Sequence, residues 1–145
     1  MKIFLASDHA GFELKHTLGE FFRAKGYSVE DLGARALDPA DDYPDFILPL
    51  ARRVAEEPGS FGIILGMSGQ GEAMAANRVL GARAAVFYGG DLELIRLARQ
   101  HNDATILSIG ARFVGADEAE RAAELFLETP FSGDERHIRR IGKLG

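Results

Sequence analysis

Five short apolar runs, each followed by a segment of different character, constrain this chain more than any other feature: Lys2–Ser7, Ser28–Leu32, Phe61–Gly66, Ala82–Tyr88 and Ala104–Ile109. The apolar run Lys2–Ser7 reads as a strand buried on both faces, and the other four segments, including Ser28–Leu32 with Glu30 and Asp31 inside it, read as further strands. Strands of that kind, separated by helical segments, predict a three-layer α/β/α fold. Its centre is a doubly wound, five-stranded parallel sheet of Rossmann-like type. With 145 residues, the chain suits a single domain spanning 1–145. It shows no linker, repeat or low-complexity segment.

The intervening segments carry helix signals. Leu14, Leu18, Phe21 and Phe22 share one helical face, and Gly26 supplies a stop. Gly33–Asp42 is a polar loop. Tyr43–Glu57 reads as a helix with Pro44 in its first turn and Pro58-Gly59 at its end, although Pro49 argues against an unbroken one. A short helix follows the third strand to about Asn77, and Asp91 can cap another that runs to about His101. Ala119, Ala122, Ala123 and Phe126 mark the next. Ser132-Gly133-Asp134-Glu135 has the capping-box pattern, so a final helix is expected there.

Composition removes several functions. The chain has no cysteine, hence no disulfide, no thiolate metal site and no cysteine base. That fits a cytoplasmic protein. A net charge of −5 argues against a nucleic-acid surface, although Arg136, Arg139, Arg140 and Lys143 crowd the last ten positions. A strand begins at once, with no charged n-region and apolar h-region, so no signal peptide is expected. No apolar run reaches the roughly 18–20 residues that span a bilayer.

In doubly wound sheets, ligands sit beyond the carboxyl ends of strands near a topological switch point. Four polar clusters directly follow strands here: Asp8-His9, Asp38–Tyr43, Ser68–Glu72 and Gly110–Arg112. The third strand runs into Gly66-Met67-Ser68-Gly69-Gln70-Gly71-Glu72, with three glycines in six residues. Such a turn lets main-chain N–H groups approach an anion or oxyanion. Ser68 adds a hydroxyl and Glu72 a carboxylate, which points to proton transfer. The spacing is neither the dinucleotide fingerprint nor a P-loop. A packing role competes, with Glu72 merely favoured by the helix dipole. That dipole also pulls a carboxylate toward low pKa, whereas bound substrate would raise it. The sequence leaves the balance open.

The other clusters have plain readings too. Asp8 can serve only as a helix cap, with His9 merely exposed. His101 can simply complement a helix dipole, and Asn102 can be a left-handed cap at the sheet edge opposite the ligand crevice. If they act in catalysis, a second subunit presents them. Arg136 and Arg140 share one helical face and, with His137 and Arg112, suit a phosphate clamp; the plain alternative is a solvated basic tail.

At these residues the chain resembles the ribose-5-phosphate isomerase B family, which includes galactose-6-phosphate isomerase subunits. The likeness covers nearly the whole chain. It is carried by Ser7–Lys15, Asp42-Tyr43-Pro44-Asp45-Phe46, Gly69-x-Gly71 with Ala75-Ala76-Asn77-Arg78, Gly81–Ala84, Arg99–Asn102, Gly110–Arg112 and Arg136-His137-x-x-Arg140. The resemblance implies metal-free, cofactor-free aldose–ketose isomerisation of a phosphorylated sugar. It also implies a homodimer with shared active sites, sometimes paired into tetramers, and a C-terminal helix at the dimer interface. One branch of the family has a cysteine base where this chain has Gly66; the other has a glutamate, matching Glu72.

Carried over by likeness, Glu72 is the base, and Ser68 with the amides of Gly69 and Gly71 stabilises the enediolate. Asp8 and His101 assist ring opening. His9, Arg112, Arg136 and Arg140 hold the phosphate, while Tyr43 and Asn102 line the sugar site. His101, Asn102 and Arg112 are expected from the partner. Met67 departs from the family's small residue, and Gly89-Gly90 lengthens the segment after the fourth strand. These departures bear on the choice between five-carbon and six-carbon or rare-sugar substrates. The rivals are a nucleotide-binding module of universal-stress type and a purely structural interaction domain.

Overall fold

A computed structural model describes all residues, Met1–Gly145. The elements run β1 (Lys2–Ser7), α1 (Phe12–Ala24), β2 (Ser28–Asp31), α2 (Pro44–Glu56), β3 (Phe61–Gly66), α3 (Gln70–Ala76), β4 (Ala84–Phe87), α4 (Glu93–Asn102), β5 (Ile106–Gly110), α5 (Ala116–Glu128) and α6 (Glu135–Gly142). A 3₁₀ turn, His9–Gly11, leads into α1. The sheet has the order β2-β1-β3-β5-β4 and every pairing is parallel. The chain leaves β1 toward β2 and returns on the other side as β3, so the switch point lies between β1 and β3. This is the doubly wound sheet expected. No helix is long and apolar enough to cross a membrane.

The period of two along each strand sorts the core into two layers. Ile3 and Leu5 of β1, Ile63 and Leu65 of β3, and Leu107 and Ile109 of β5 pack with Leu18, Phe22, Ile95, Ala122 and Phe126, under α1, α4 and α5. Phe4, Ala6, Ile64 and Ile106 face the other way and meet Ile47, Leu50, Val54 and Ala76 of α2 and α3. Ser108 shares that second face, which brings its hydroxyl under the glycine loop.

Several local expectations need correction. Helix α2 is unbroken across Pro49. Pro49 and Asp45, whose carbonyl loses its partner, are both exposed, so the lost bond falls on the solvent side. Strands β4 and β5 start two residues later than the apolar runs suggest. At the sheet edge, the Asn77 side chain accepts from Ala84 N–H (2.8 Å) and donates to its carbonyl (3.0 Å). The motif residue Asn77 is thus an edge clasp. The left-handed residue ending α4 is Asp103, at φ 44°, not Asn102. The capping box does not form: Asp134 is the N-cap of α6, and Ser132 Oγ only accepts from the Asp134 N–H (3.2 Å).

Lys15 shows tertiary contacts overriding polarity. It is fully buried, and its Nζ donates to Asp31 Oδ1 (2.8 Å) and to the Ala34 carbonyl, tying α1 to the end of β2.

Candidate active site

The carboxyl ends of β1 and β3 bring Asp8 and the glycine loop together. Gly69 opens the loop's last turn at φ 79°, in the left-handed region that favours glycine. Ser108 Oγ donates to the Gly69 carbonyl (2.7 Å) and fixes the turn against β5. The run Ala104–Ile109 holds two hydroxyls, Thr105 and Ser108, and nothing local marks Ser108 as the one that reaches the loop. Tyr43 lies over the loop: a Cβ added to Gly71 would meet its Cζ at 2.8 Å and its hydroxyl at 2.9 Å. Ser68 is half-buried, and its Oγ accepts from Gln70 N–H at 3.3 Å.

Glu72, in the first turn of α3, is only 4% exposed. Its carboxylate occupies the space a side chain on Gly66 would fill, since a Cβ built there lies 1.8 Å from Oε1 and 2.0 Å from Cδ. Burial pushes the Glu72 carboxyl above its usual 4.5; its own main-chain N–H pulls the other way, and the nearby Asp8 charge adds to the rise. Desolvation therefore outweighs the main-chain hydrogen bond.

Asp8 does what the plain reading allowed: its Oδ1 accepts from Ala10 N–H (3.0 Å) and caps the 3₁₀ turn. It also stays close enough to Glu72 to influence its ionisation. His9 is held by a residue not singled out in the sequence, Asp41, whose Oδ1 accepts from the ring Nδ1 (2.7 Å) and the main-chain N–H (3.1 Å). Asp8, His9 and Asp41 place ligand-type atoms within 4.8 Å of one another. Asp8 accepts from the Ala10 N–H and Asp41 from His9, so these groups already have partners within the protein. Arg112 is exposed beside the loop of its own chain, with Nη1 3.8 Å from Met67 Sδ.

A second group forms at the opposite end of the sheet, where α4 ends before β5. His101 stacks on His137 of α6, with ring centroids 4.3 Å apart and planes 15° from parallel. His137 is buried, and its Nε2 lacks a hydrogen-bond partner. Burial, then the neighbouring His101, lowers its pKa from 6.5. His101, Asn102, His137 and Arg140 line a cavity of about 230 Å³. The end of α4 is fastened by Arg83, which donates to the Asn102 and Asp103 carbonyls (3.1 and 2.9 Å), and by buried Arg99, whose Nη1 donates to Asp103 Oδ1 (2.8 Å). One chain thus gathers Asp8, His9, Tyr43, Ser68, Gly69, Gly71, Glu72 and Arg112 at one end of the sheet. It leaves His101, Asn102 and Arg140 at the other, with Arg136 exposed on the same short α6. The histidine stack joins two distant segments and has no local signature.

Fold and site define a doubly wound α/β domain with a buried carboxylate and a glycine cradle at its switch point. The family model described as Ribose/Galactose Isomerase matches residues 3–144, and the chain belongs to that family. Ribose-5-phosphate isomerase B of Mycobacterium leprae is 44% identical over 141 residues, covering 97% of this chain and 86% of that protein. The structure of ribose-5-phosphate isomerase B from Mycoplasma genitalium with bound ribulose-5-phosphate superposes with a TM-score of 0.93 at 40% identity, covering 99% of this chain and 93% of that one. The Thermotoga maritima enzyme gives 0.91 at 42% identity, covering 99% and 96%.

Proposed function

We propose that this chain interconverts ribose 5-phosphate and ribulose 5-phosphate through a cis-enediolate, with Glu72 as the base. The observation that carries this reading is the Glu72 carboxylate: buried, raised in pKa, and seated in the side-chain space of Gly66 beside the cradle. A proton α to a carbonyl is weakly acidic, and a carboxylate of raised pKa is a stronger base for removing it. Glu72 takes the proton from C2 of the open-chain aldose to give the enediolate and returns it to C1, while the C2 hydroxyl proton passes to O1, so that O1 becomes the hydroxyl and C2 the carbonyl. Negative charge develops on the carbonyl oxygen, where Ser68 and the amides of Gly69 and Gly71 supply donors. Asp8 and His101 serve ring opening, while Tyr43 and Asn102 line the sugar. His9, Arg112, Arg136 and Arg140 hold the phosphate, remote from the reacting carbons, so its binding energy orients them.

This arrangement works as a homodimer in the cytoplasm. The separation of Glu72 from the His101–Arg140 group supports a site completed by a second copy, and the exposed face of α6 is available to it. No metal or cofactor is required by these steps.

The test is a turnover panel of five- and six-carbon sugar phosphates, with solution mass measured alongside. Ribose 5-phosphate exchange by a dimer is the expected result, with KM for that substrate raised in Arg140→Ala. Preference for a six-carbon phosphate would move the assignment to the rarer-sugar reading, for which exposed Met67 is the residue to examine. ATP binding without sugar-phosphate turnover would overturn it.

A further inference from the structure

His9 stands at the mouth of the site with its side chain 35% exposed, whereas the Asp41 side chain beneath it is 8% exposed. One oxygen of Asp41 receives both the ring Nδ1–H and the main-chain N–H of His9. This double clasp fixes the tautomer and the ring orientation together, and leaves Nε2 as the uncommitted ring nitrogen. The other Asp41 oxygen is buried with no hydrogen-bond partner. A buried carboxylate with an orphan oxygen is costly unless a cation compensates it, and His9 is the group in contact.

We propose that Asp41 is a positioning residue for substrate phosphate, holding His9 as an oriented, charged Nε2–H donor. The inference rests on the reading of His9 as a phosphate contact. The carboxylates facing the ring are Asp41 and Asp38 from the β2–α2 loop and Asp8 from the end of β1. The hydrogen bond to Asp41 is the largest influence holding the His9 pKa above 6.5, opposed by partial burial. Such a histidine keeps its proton, and so its second donor, above the pH at which a free imidazole loses it.

The experiment is NMR titration of the His9 ring in the wild type and in Asp41→Asn, with inorganic phosphate and then ribose 5-phosphate as probes. Asparagine keeps an oxygen for both N–H groups but removes the charge. The proposal expects the His9 midpoint to fall in the variant and phosphate affinity to be lost at correspondingly lower pH. It also expects KM to rise several-fold above pH 6.5, more than kcat falls. An unmoved midpoint overturns the positioning role. A midpoint that falls while phosphate affinity keeps its pH profile overturns the phosphate contact. Neither result touches the role of Glu72, which is read from kcat. In the wild type alone, phosphate affinity must follow the His9 titration; an affinity indifferent to it refutes the proposal even if the variant does not fold.

Discussion

Gly66→Ala separates catalysis from folding. Gly66 sits in β3, in register with Gly110 of β5, and its φ lies outside the left-handed region, so alanine meets no backbone strain. What it meets is Glu72: the new Cβ would lie 1.8, 2.0 and 2.5 Å from Oε1, Cδ and Oε2. Overlap this deep with the end of a flexible side chain is relieved by swinging that side chain away. The rotamer cost is about 0.5–1.5 kcal/mol. It is offset in part, because the carboxylate leaves a site whose burial disfavours its charge. Net destabilisation of about 1 kcal/mol or less corresponds to roughly 2–4 °C in Tm for a domain of this size. Glu72, the proposed base, is however displaced by more than an ångström. Misplacement on that scale costs about 100-fold, and loss of a general base about 10²–10⁴-fold. The assay is kcat for ribulose 5-phosphate formation beside thermal melts. A fall of at least about 100-fold with Tm nearly unchanged is expected. Wild-type kcat in a folded Gly66→Ala protein would refute the reasoning, since the base cannot be where the structure puts it and also tolerate a methyl there.

Two other perturbations test the frame. In Gly11→Ala, the new Cβ would lie 2.5 Å from Leu65 Cβ and 2.7 Å from the Leu65 carbonyl carbon, on a fully buried strand that cannot yield. This variant should lose about 1–3 kcal/mol or more, seen as a lower denaturant midpoint; a wild-type midpoint would show that α1 is less firmly seated. His137 supplies a pH dependence: its folded pKa is held below 6.5 by burial and by His101. As pH falls through 6.5 the unfolded chain gains a proton that the folded chain resists, so this residue costs stability down to its lowered folded value. His9, raised in the folded state, acts in the opposite sense, losing its stabilisation as pH rises through its folded value. Replacing His137 by Phe, which preserves a ring against His101, should flatten Tm on the acid side relative to wild type; an unchanged difference would argue against the buried neutral ring.

The sheet was legible because β1, β3 and β5 are buried on both faces, and such strands must be continuously apolar. Strand ends were less so: side-chain clasps such as Asn77 on Ala84 set the limits of β4, and apolar character runs past them. The capping box failed as a signal because Asp134 takes the cap position itself. Glu72 was singled out by the glycine loop, and the family resemblance together with the missing cysteine made it the candidate base; its raised pKa was not legible, because burial depends on how α3 seats against β3. Asp41 lay inside a polar loop of several acidic residues, and nothing local marks the one that reaches His9 across 32 positions. The His101–His137 stack likewise depends on α6 returning to α4.

Glu72→Gln tests the central claim most directly. The variant keeps the side chain's volume and removes the base together with a charge that burial disfavours. The account predicts a fall in ribose 5-phosphate turnover of about 10²–10⁴-fold, with Tm at neutral pH equal to or above wild type. Turnover close to wild type in a folded Glu72→Gln protein would contradict it.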